Sequence, residues 1–309
     1  FNLVASEKPL SGIFQQLSGK NVRTVTQTKD ESLWFGTDAG LFSIKNKTGN
    51  SSITQNSELQ SLNIWSLFPG SSNNLWIGTY GQGLKELNLK TKQLKSWKVD
   101  NPNFNASAFN YVKTIFEDND GMIWIGFWGG GLARLNPKIA DVIHWRNEKD
   151  KSSSLSHNDI WVIHKDFRGR IWIGTNGGGL NLYNSEKQTS FYCWNTIRKN
   201  EQALSSNSIY TICEPTSNSN PDNQTILWIG TANGLNRFII KKDSGSSDGS
   251  KLDVKIKNYT VEDGLPDNAI ESILEDENGN YWIGTSTGIS FFNVEKESFT
   301  SYTTADGLN

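Results

Sequence analysis

The chain has 309 residues, of which 35% are hydrophobic and 20% charged, with 28 glycines and a formal net charge of −2. With no run of lysine or arginine there is no basic face to neutralise a phosphate backbone, so nucleic acid is not expected as a partner. No apolar stretch reaches the ~18 residues of a membrane span, so no direct membrane insertion is expected, and the N-terminus lacks the basic and apolar regions of a signal peptide. The chain opens on Phe1 rather than methionine, which points to a processed or excised piece and makes the missing leader uninformative about location.

In chain order, Phe1 to Ala5 and Gly12 to Leu17 read as the outer strands of an incomplete unit. A phrase then recurs six times, from Leu33-Trp34-Phe35-Gly36-Thr37 to Tyr281-Trp282-Ile283-Gly284-Thr285, with its tryptophans at 34, 76, 124, 172, 228 and 282. Intervals of 42 to 56 residues are those of a four-stranded propeller blade. Each unit begins with a strand of apolar, any, any, apolar pattern, such as Val112-Lys113-Thr114-Ile115. A polar turn follows, seen in Asp118-Asn119-Asp120-Gly121 and Asp276-Glu277-Asn278-Gly279, where Asp and Asn suit turn conformations and Gly takes positive φ. The Trp-Ile-Gly-Thr phrase is the second strand, and its glycine lets neighbouring backbones approach. A third strand follows, and a fourth ends in an aromatic: Trp97, Trp145, Trp194, Tyr259 and Tyr302.

The units run over about 18–58, 59–105, 106–152, 153–202, 203–262 and 263–309, with 1–17 as outer strands of a partial blade. Tyr302 to Asn309 repeats the pattern of Tyr259 to Pro266, as though another unit were beginning. The expectation is a single all-β propeller domain with seven blades, the seventh drawn from the termini; a six-bladed ring is the alternative. Pro215 to Gln224 and Lys241 to Lys251 read as surface insertions in unit five, the second one mobile. Cys193 falls on an outermost strand and Cys213 on the next innermost one, too far apart for a disulfide. Two buried free thiols are expected.

The pattern running from Glu262-Asp263-Gly264-Leu265-Pro266 through Glu275-Asp276-Glu277-Asn278-Gly279-Asn280-Tyr281-Trp282-Ile283-Gly284-Thr285 to Phe299-Thr300-Ser301-Tyr302 resembles the two-component regulator propeller repeat. Unit two departs from it, with Pro69 to Asn74 in place of the Asp-x-x-Gly turn. The resemblance implies the extracytoplasmic, periplasmic sensor region of a hybrid histidine kinase that senses glycans and controls genes for polysaccharide use. It also implies other domains of the same protein as partners, allows a homodimer in the full-length receptor, and places any kinase activity in domains outside this chain. It carries over no catalytic residue and no ligand motif, so neither enzyme activity nor a cofactor is expected.

Of 12 tryptophans the repeat explains nine, leaving Trp65, Trp128 and Trp161 in three consecutive units. Trp65 and Trp161 begin first strands and Trp128 sits in a second-to-third turn, which in an up-and-down blade lie at the same end. Tyr80, Phe127 and Asn176 from turns, and Arg23, Lys113, Asp159, Tyr210 and Glu271 from strand starts, join them there. The candidate ligand-binding set is Trp65, Tyr80, Lys113, Trp128, Trp161, Asn176 and Tyr210. Aromatic faces beside hydrogen-bonding groups suit an oligosaccharide, with C–H surfaces stacking and hydroxyls finding partners. Alternation places Trp65 with Leu67 and Trp161 with Ile163, so a wedge between blades is the competing role for these two. Two other functions stand beside the sensor: a lyase of the streptogramin type, whose histidine-centred magnesium site His144, His157 and His164 do not reproduce, and a protein-interaction platform. No metal site is expected.

Overall fold

The computed structural model describes residues 15–45, 53–101, 104–197, 203–216, 224–242 and 252–308. Among the described residues the architecture is all-β, with 24 strands in six four-stranded antiparallel blades, each built from strands consecutive in sequence. Blade one is β1 (Val22–Gln27), β2 (Leu33–Thr37), β3 (Gly40–Ile44) and β4 (Ile53–Gln55); blade two is β5 (Ile64–Pro69), β6 (Asn74–Thr79), β7 (Leu84–Asn88) and β8 (Leu94–Trp97). Blade three comprises β9 (Val112–Glu117), β10 (Ile123–Phe127), β11 (Gly131–Asn136) and β12 (Asp141–Trp145). Blade four has β13 (Ile160–Lys165), β14 (Ile171–Thr175), β15 (Leu180–Asn184) and β16 (Ser190–Trp194). Blade five has β17 (Ile209–Cys213), β18 (Thr225–Thr231), β19 (Gly234–Lys242) and β20 (Asp253–Tyr259), and blade six β21 (Ile270–Glu275), β22 (Tyr281–Thr285), β23 (Gly288–Asn293) and β24 (Ser298–Thr303). Two compact units divide the chain, Phe1–His144 and Trp145–Asn309, so the boundary falls inside β12.

The seven-bladed expectation is corrected: the described residues form six blades. Gln15–Leu17, expected in a fourth strand, is a 3₁₀ turn, and the C-terminal repeat of the Tyr-Thr pattern is a second one at Thr304–Asp306, closed by Gly307 in the left-handed region. Phe1 to Ala5, most of the Lys241 to Lys251 insertion and the middle of Pro215 to Gln224 lie outside the described residues.

All six repeated tryptophans sit in second strands, as the spacing predicts. In the first unit Trp34 packs in one cluster with Ile64 and Leu67 of blade two, and Trp76 packs with Val112 and Ile115 of blade three. In the second unit Trp172 meets Ile209 and Ile212, and Trp228 meets Ile270. The physical logic is one contact repeated: the indole of one blade covers the apolar pair of the next first strand. The glycine after Trp-Ile makes it possible. A Cβ on Gly174 would lie 2.5 Å from Val162 and 2.7 Å from Ile209, and one on Gly78 2.7 Å from Val112. Trp282 departs from the pattern, being 40% exposed where its five counterparts are at most 7% exposed.

In blades three, four and six the first turn is held by its aspartate. Asp118 Oδ1 accepts from the amides of Asp120 and Met122 while Oδ2 accepts from Trp124 Nε1 at 2.8 Å. In blade four Asp166 does the same for Arg168, Arg170 and Trp172, and also takes Arg170 Nε at 2.6 Å. Cys193 and Cys213 are free, as the strand placement predicts, but half-buried rather than buried.

Candidate functional site

Each first strand whose second residue the repeat leaves variable carries a β-bulge there. In blades one, two, four, five and six the register of β1, β5, β13, β17 and β21 against the second strand slips across Val22/Thr24, Ile64/Ser66, Ile160/Val162, Ile209/Thr211 and Ile270/Ser272. In blade three Val112 pairs with Phe127 and Thr114 with Gly126, which skips Lys113 in the same way. The bulged residues are therefore Arg23, Trp65, Lys113, Trp161, Tyr210 and Glu271. A bulge inserts one residue and turns its side chain out of the alternating pattern. Consequently Ile64 and Leu67 share the core face, 0% and 9% exposed, while Trp65 leaves it half-buried. The wedge role expected from alternation is filled by Ile64 and Leu67.

The residue after the second strand lies beside the bulge, because its backbone is tied to the segment entering the first strand. Tyr80 N donates to Asn63 O at 2.8 Å, Trp128 N to Tyr111 O at 3.0 Å and Asn176 N to Asp159 O at 2.9 Å. The glycine-rich turns are pinned from the following blade: Gly81 and Gly83 both donate to Asn110 O, and Gly177 and Gly179 to Asn207 O. Gly81, Gly83, Gly177 and Gly179 all have φ between +69° and +109°, a conformation that favours glycine. These turns hold their aromatic and amide tips in place on a fixed backbone.

In the first unit this geometry assembles four aromatics. Trp128 stacks on Trp65 with centroids 5.3 Å apart and planes at 23°, Tyr80 lies 4.7 Å from Trp65 and 5.9 Å from Trp128, and Tyr111 meets Tyr80 edge-on at 4.7 Å. Trp128 and Tyr80 remain 45% and 41% exposed, an apolar surface that a folded chain rarely leaves open without use. Two cations approach the same indole: Lys113 Nζ lies 4.9 Å from the Trp65 centroid and the Arg23 guanidinium carbon 5.9 Å. Arg23 Nε also donates to Asn63 Oδ1 at 3.1 Å. Trp65 Nε1 is buried and has no hydrogen-bond partner among the described residues.

The second unit holds its own group. Trp161 stacks on Tyr210 at 4.7 Å and 24°, with half-buried Asn176 in the turn of the same blade as Trp161. Burial first, and then the charge of Glu271, raise the Tyr210 hydroxyl above its ordinary pKa, so it remains a neutral donor and acceptor. Of the neighbours expected at this end, Phe127 does not contribute a surface: it is fully buried and packs edge-on against Phe109 at 5.2 Å. Tyr111, just ahead of β9, joins the first group without having been expected; its only sequence signal is its place before the first strand. Of the three histidines, His144 is in β12 of the first unit, and in the second unit His157 accepts from the Asp159 amide through Nδ1 while His164 lies 3.6 Å from Glu214.

At the other strand end of the first unit, a cavity of about 400 Å³ is lined by Ser71, Asn74, Trp76, Glu86, Glu117 and Asp120, among others. Here Gly70 stands where blades three, four and six carry Asp118, Asp166 and Asp276, and Trp76 Nε1 and Asn74 Oδ1 are left without partners among the described residues.

The repeat model of the two component regulator propeller family matches at residues 58–81, 107–129, 154–177 and 264–287. These segments include Trp65, Tyr80, Trp128, Trp161 and Asn176. Four segments of the chain thus match two component regulator propeller repeats, as the quoted motifs imply. No curated protein matches it. Among solved structures, the extracellular domain of a putative hybrid two component system from B. thetaiotaomicron is 27% identical with a TM-score of 0.71, covering 94% of this chain and 35% of its own. The chain therefore spans about a third of that neighbour's length. Virginiamycin B lyase from Staphylococcus aureus is similar in fold alone, at 13% identity and a TM-score of 0.64 over 94% of this chain and 86% of its own. The same holds for PorZ, a surface component of the type-IX secretion system of Porphyromonas gingivalis, at 13% identity and a TM-score of 0.63 over 93% of this chain and 42% of its own.

Proposed function

We propose that this chain is a ligand-sensing part of the extracytoplasmic, periplasmic region of a hybrid two-component sensor, and that it binds an oligosaccharide to control genes for polysaccharide use. The observation that carries the ligand reading is the exposed Trp128 ring stacked on Trp65 beside Tyr80. Aromatic rings with open faces, fixed by bulges and glycine turns, offer a sugar ring a stacking platform without an ordering cost in the protein. Lys113 and Tyr111 bring polar groups to its edge. Trp161, Tyr210 and Asn176 provide a second stacking surface in the other unit. The likeness to the extracellular domain of a hybrid system supports the sensor reading; the likeness to the lyase concerns the fold only.

The test is a glycan array followed by calorimetry on the best binder. Trp128→Ala is expected to weaken binding at least ~30-fold, the scale of an interface hot spot. Its melting temperature should move little, because the ring is 45% exposed and only a fully buried tryptophan costs 3–5 kcal/mol on truncation. An unchanged binding curve for a folded Trp65, Trp128 and Trp161 triple alanine variant would remove these residues from the ligand site.

A further inference from the structure

We propose that the cavity at the other strand end of the first unit is a second ligand site, and that it takes a small hydroxyl-rich molecule, a monosaccharide or polyol. The site is separate from the aromatic surface and does not depend on what that surface binds.

In three blades the chain supplies an acceptor for the repeated indole from the residue that follows the first strand. Thr28 Oγ1 takes Trp34 Nε1 at 3.1 Å, Asp118 Oδ2 takes Trp124 Nε1 at 2.8 Å and Asp166 Oδ2 takes Trp172 Nε1 at 2.8 Å. In blade two that residue is Gly70, which has no side chain to offer. The backbone of the turn is otherwise that of blade three. Gly70 N donates to Asn74 O at 2.9 Å as Asp118 N does to Met122 O at 3.0 Å, and Asn73 shares the left-handed conformation of Gly121, with φ of 57° and 75°.

The vacated place is taken by Asn74 Oδ1, which a Cβ on Gly70 would overlap. Asn74 Nδ2 donates to Glu86 Oε1 at 2.6 Å, and this fixes the amide orientation because a carboxylate only accepts. Its Oδ1 and Trp76 Nε1 are therefore an acceptor and a donor that both lack a hydrogen-bond partner among the described residues. The two residues are 5% and 1% exposed, so leaving these atoms unmet is costly. They stand two apart on β6 and share a face, and Glu86, opposite Trp76 on β7, shares it too.

All three residues line the cavity, and Glu117 closes it from blade three, accepting from the backbone N of Ser71 at 2.9 Å and from its hydroxyl. The volume of about 400 Å³ falls within the ~300–1,000 Å³ of small-molecule sites and far exceeds the ~30 Å³ share of one water. A metal cation suits Asn74 Oδ1 and the carboxylates but leaves the indole N–H unmet. An anion meets the indole but faces Glu86, Glu117 and Asp120, with Lys138 as the cation of the lining. A hydroxyl both accepts and donates. A molecule bearing several satisfies both unmet atoms and the remaining lone pairs of the two glutamates.

The experiment titrates the whole chain with glucose, galactose and sorbitol, and separately with calcium chloride and sodium phosphate. Calorimetry gives affinity, and the indole N–H resonances in nitrogen-15 spectra give location, with Trp76 assigned from Trp76→Phe. The expected result is that at least one hydroxyl probe binds and shifts the Trp76 resonance, while calcium and phosphate do not. A shift at Trp76 separates this cavity from the aromatic surface, whose indoles are Trp65 and Trp128. Gly70→Asp combined with Asn74→Met rebuilds the turn of blade three and gives Trp76 an acceptor of its own. That variant should bind the same probe at least ~10-fold more weakly, the scale of a lost buried hydrogen bond. If it does not fold, the resonance titration of the unsubstituted protein decides alone. A Trp76 resonance unmoved by all three hydroxyl probes, as for a cavity that holds water only, would overturn the inference. So would a response to calcium or phosphate instead, or undiminished binding by the rebuilt turn.

Discussion

The glycine of the Trp-Ile-Gly-Thr phrase allows a comparison in which sequence context is held constant and only the neighbour changes. Gly174 and Gly284 occupy the same strand position in blades four and six, both in the second unit. A Cβ on Gly174 would meet Val162 Cγ1 at 2.5 Å, Ile209 Cγ2 at 2.7 Å and Ile209 Cβ at 2.9 Å. Ordinary carbon contacts lie near 3.5–4.0 Å, so two branched side chains must give by about 1 Å, and Ile209 is fully buried. On Gly284 the same atom would meet only the Ser272 hydroxyl closely, at 2.4 Å, with Ser272 Cβ at 3.7 Å. A hydroxyl rotates away; a packed isoleucine does not. Overpacking of this kind costs about 1–3 kcal/mol, offset by about 0.4–1 kcal/mol from restricting the unfolded chain. Gly174→Ala should therefore lose about 1–2 kcal/mol, whereas Gly284→Ala should fall between a slight gain and about 0.5 kcal/mol of loss. Urea unfolding followed by tryptophan fluorescence, with the transition of the second unit fitted for both variants, measures the difference. Equal changes in the two variants, or a stabilised Gly174→Ala, would refute close interblade approach as the reason for the glycine.

Asp166→Ala removes four hydrogen bonds and leaves the Arg170 guanidinium buried without its carboxylate, 6% exposed, so denaturant unfolding should register a loss of about 3–5 kcal/mol. Trp172→Ala and Trp282→Ala should separate in the same assay, about 3–5 kcal/mol for the buried indole and well under half of that for the one that is 40% exposed. Burial, with Glu275 next in importance, pushes the Cys213 thiol up to about 11. Because the folded state holds that proton longer, the stabilisation is complete below pH 9 and is lost as pH rises from about 9 to 11. Iodoacetamide at pH 8 should label Cys213 more than tenfold more slowly than a free cysteine thiol, with mass spectrometry of the labelled peptides as the readout.

Much of the fold can be read from the sequence because the repeat states it six times. A strand carrying Trp-Ile-Gly-Thr buries the indole and needs the glycine at the same place in each copy, and neither demand depends on distant context. The blade number was misread for the opposite reason. Gly12 to Leu17 has the composition of a short strand, but strand formation requires a partner, and composition does not reveal that Gln15–Leu17 closes into a 3₁₀ turn. The candidate tryptophans stand out by subtraction, but strict alternation, which puts Trp65 on the face of Leu67, keeps a wedge role open beside the surface one. The correct signal was in the apolar, any, any, apolar pattern itself. A spacing of three is incompatible with a period of two unless one residue is inserted, and Ile64 with Leu67, like Val112 with Ile115, has that spacing. Phe127 was misread because the threonine it replaces gives no hint of Phe109 waiting to cover it.

The repeated bulge separates two kinds of selection within a single strand. The residue just before it and the one two places after it are Ile, Val or Leu in every blade and pack into the core in blades two to five, whereas the bulged residue answers to what lies outside, and in this chain it is Arg, Trp, Lys, Trp, Tyr and Glu. Ligand preference can therefore drift one side chain at a time at no cost to the packing beneath, so relatives sharing every buried position need not share a ligand. For the engineer, the six sites form a ready library: randomised together, they should yield proteins that melt alike and bind differently.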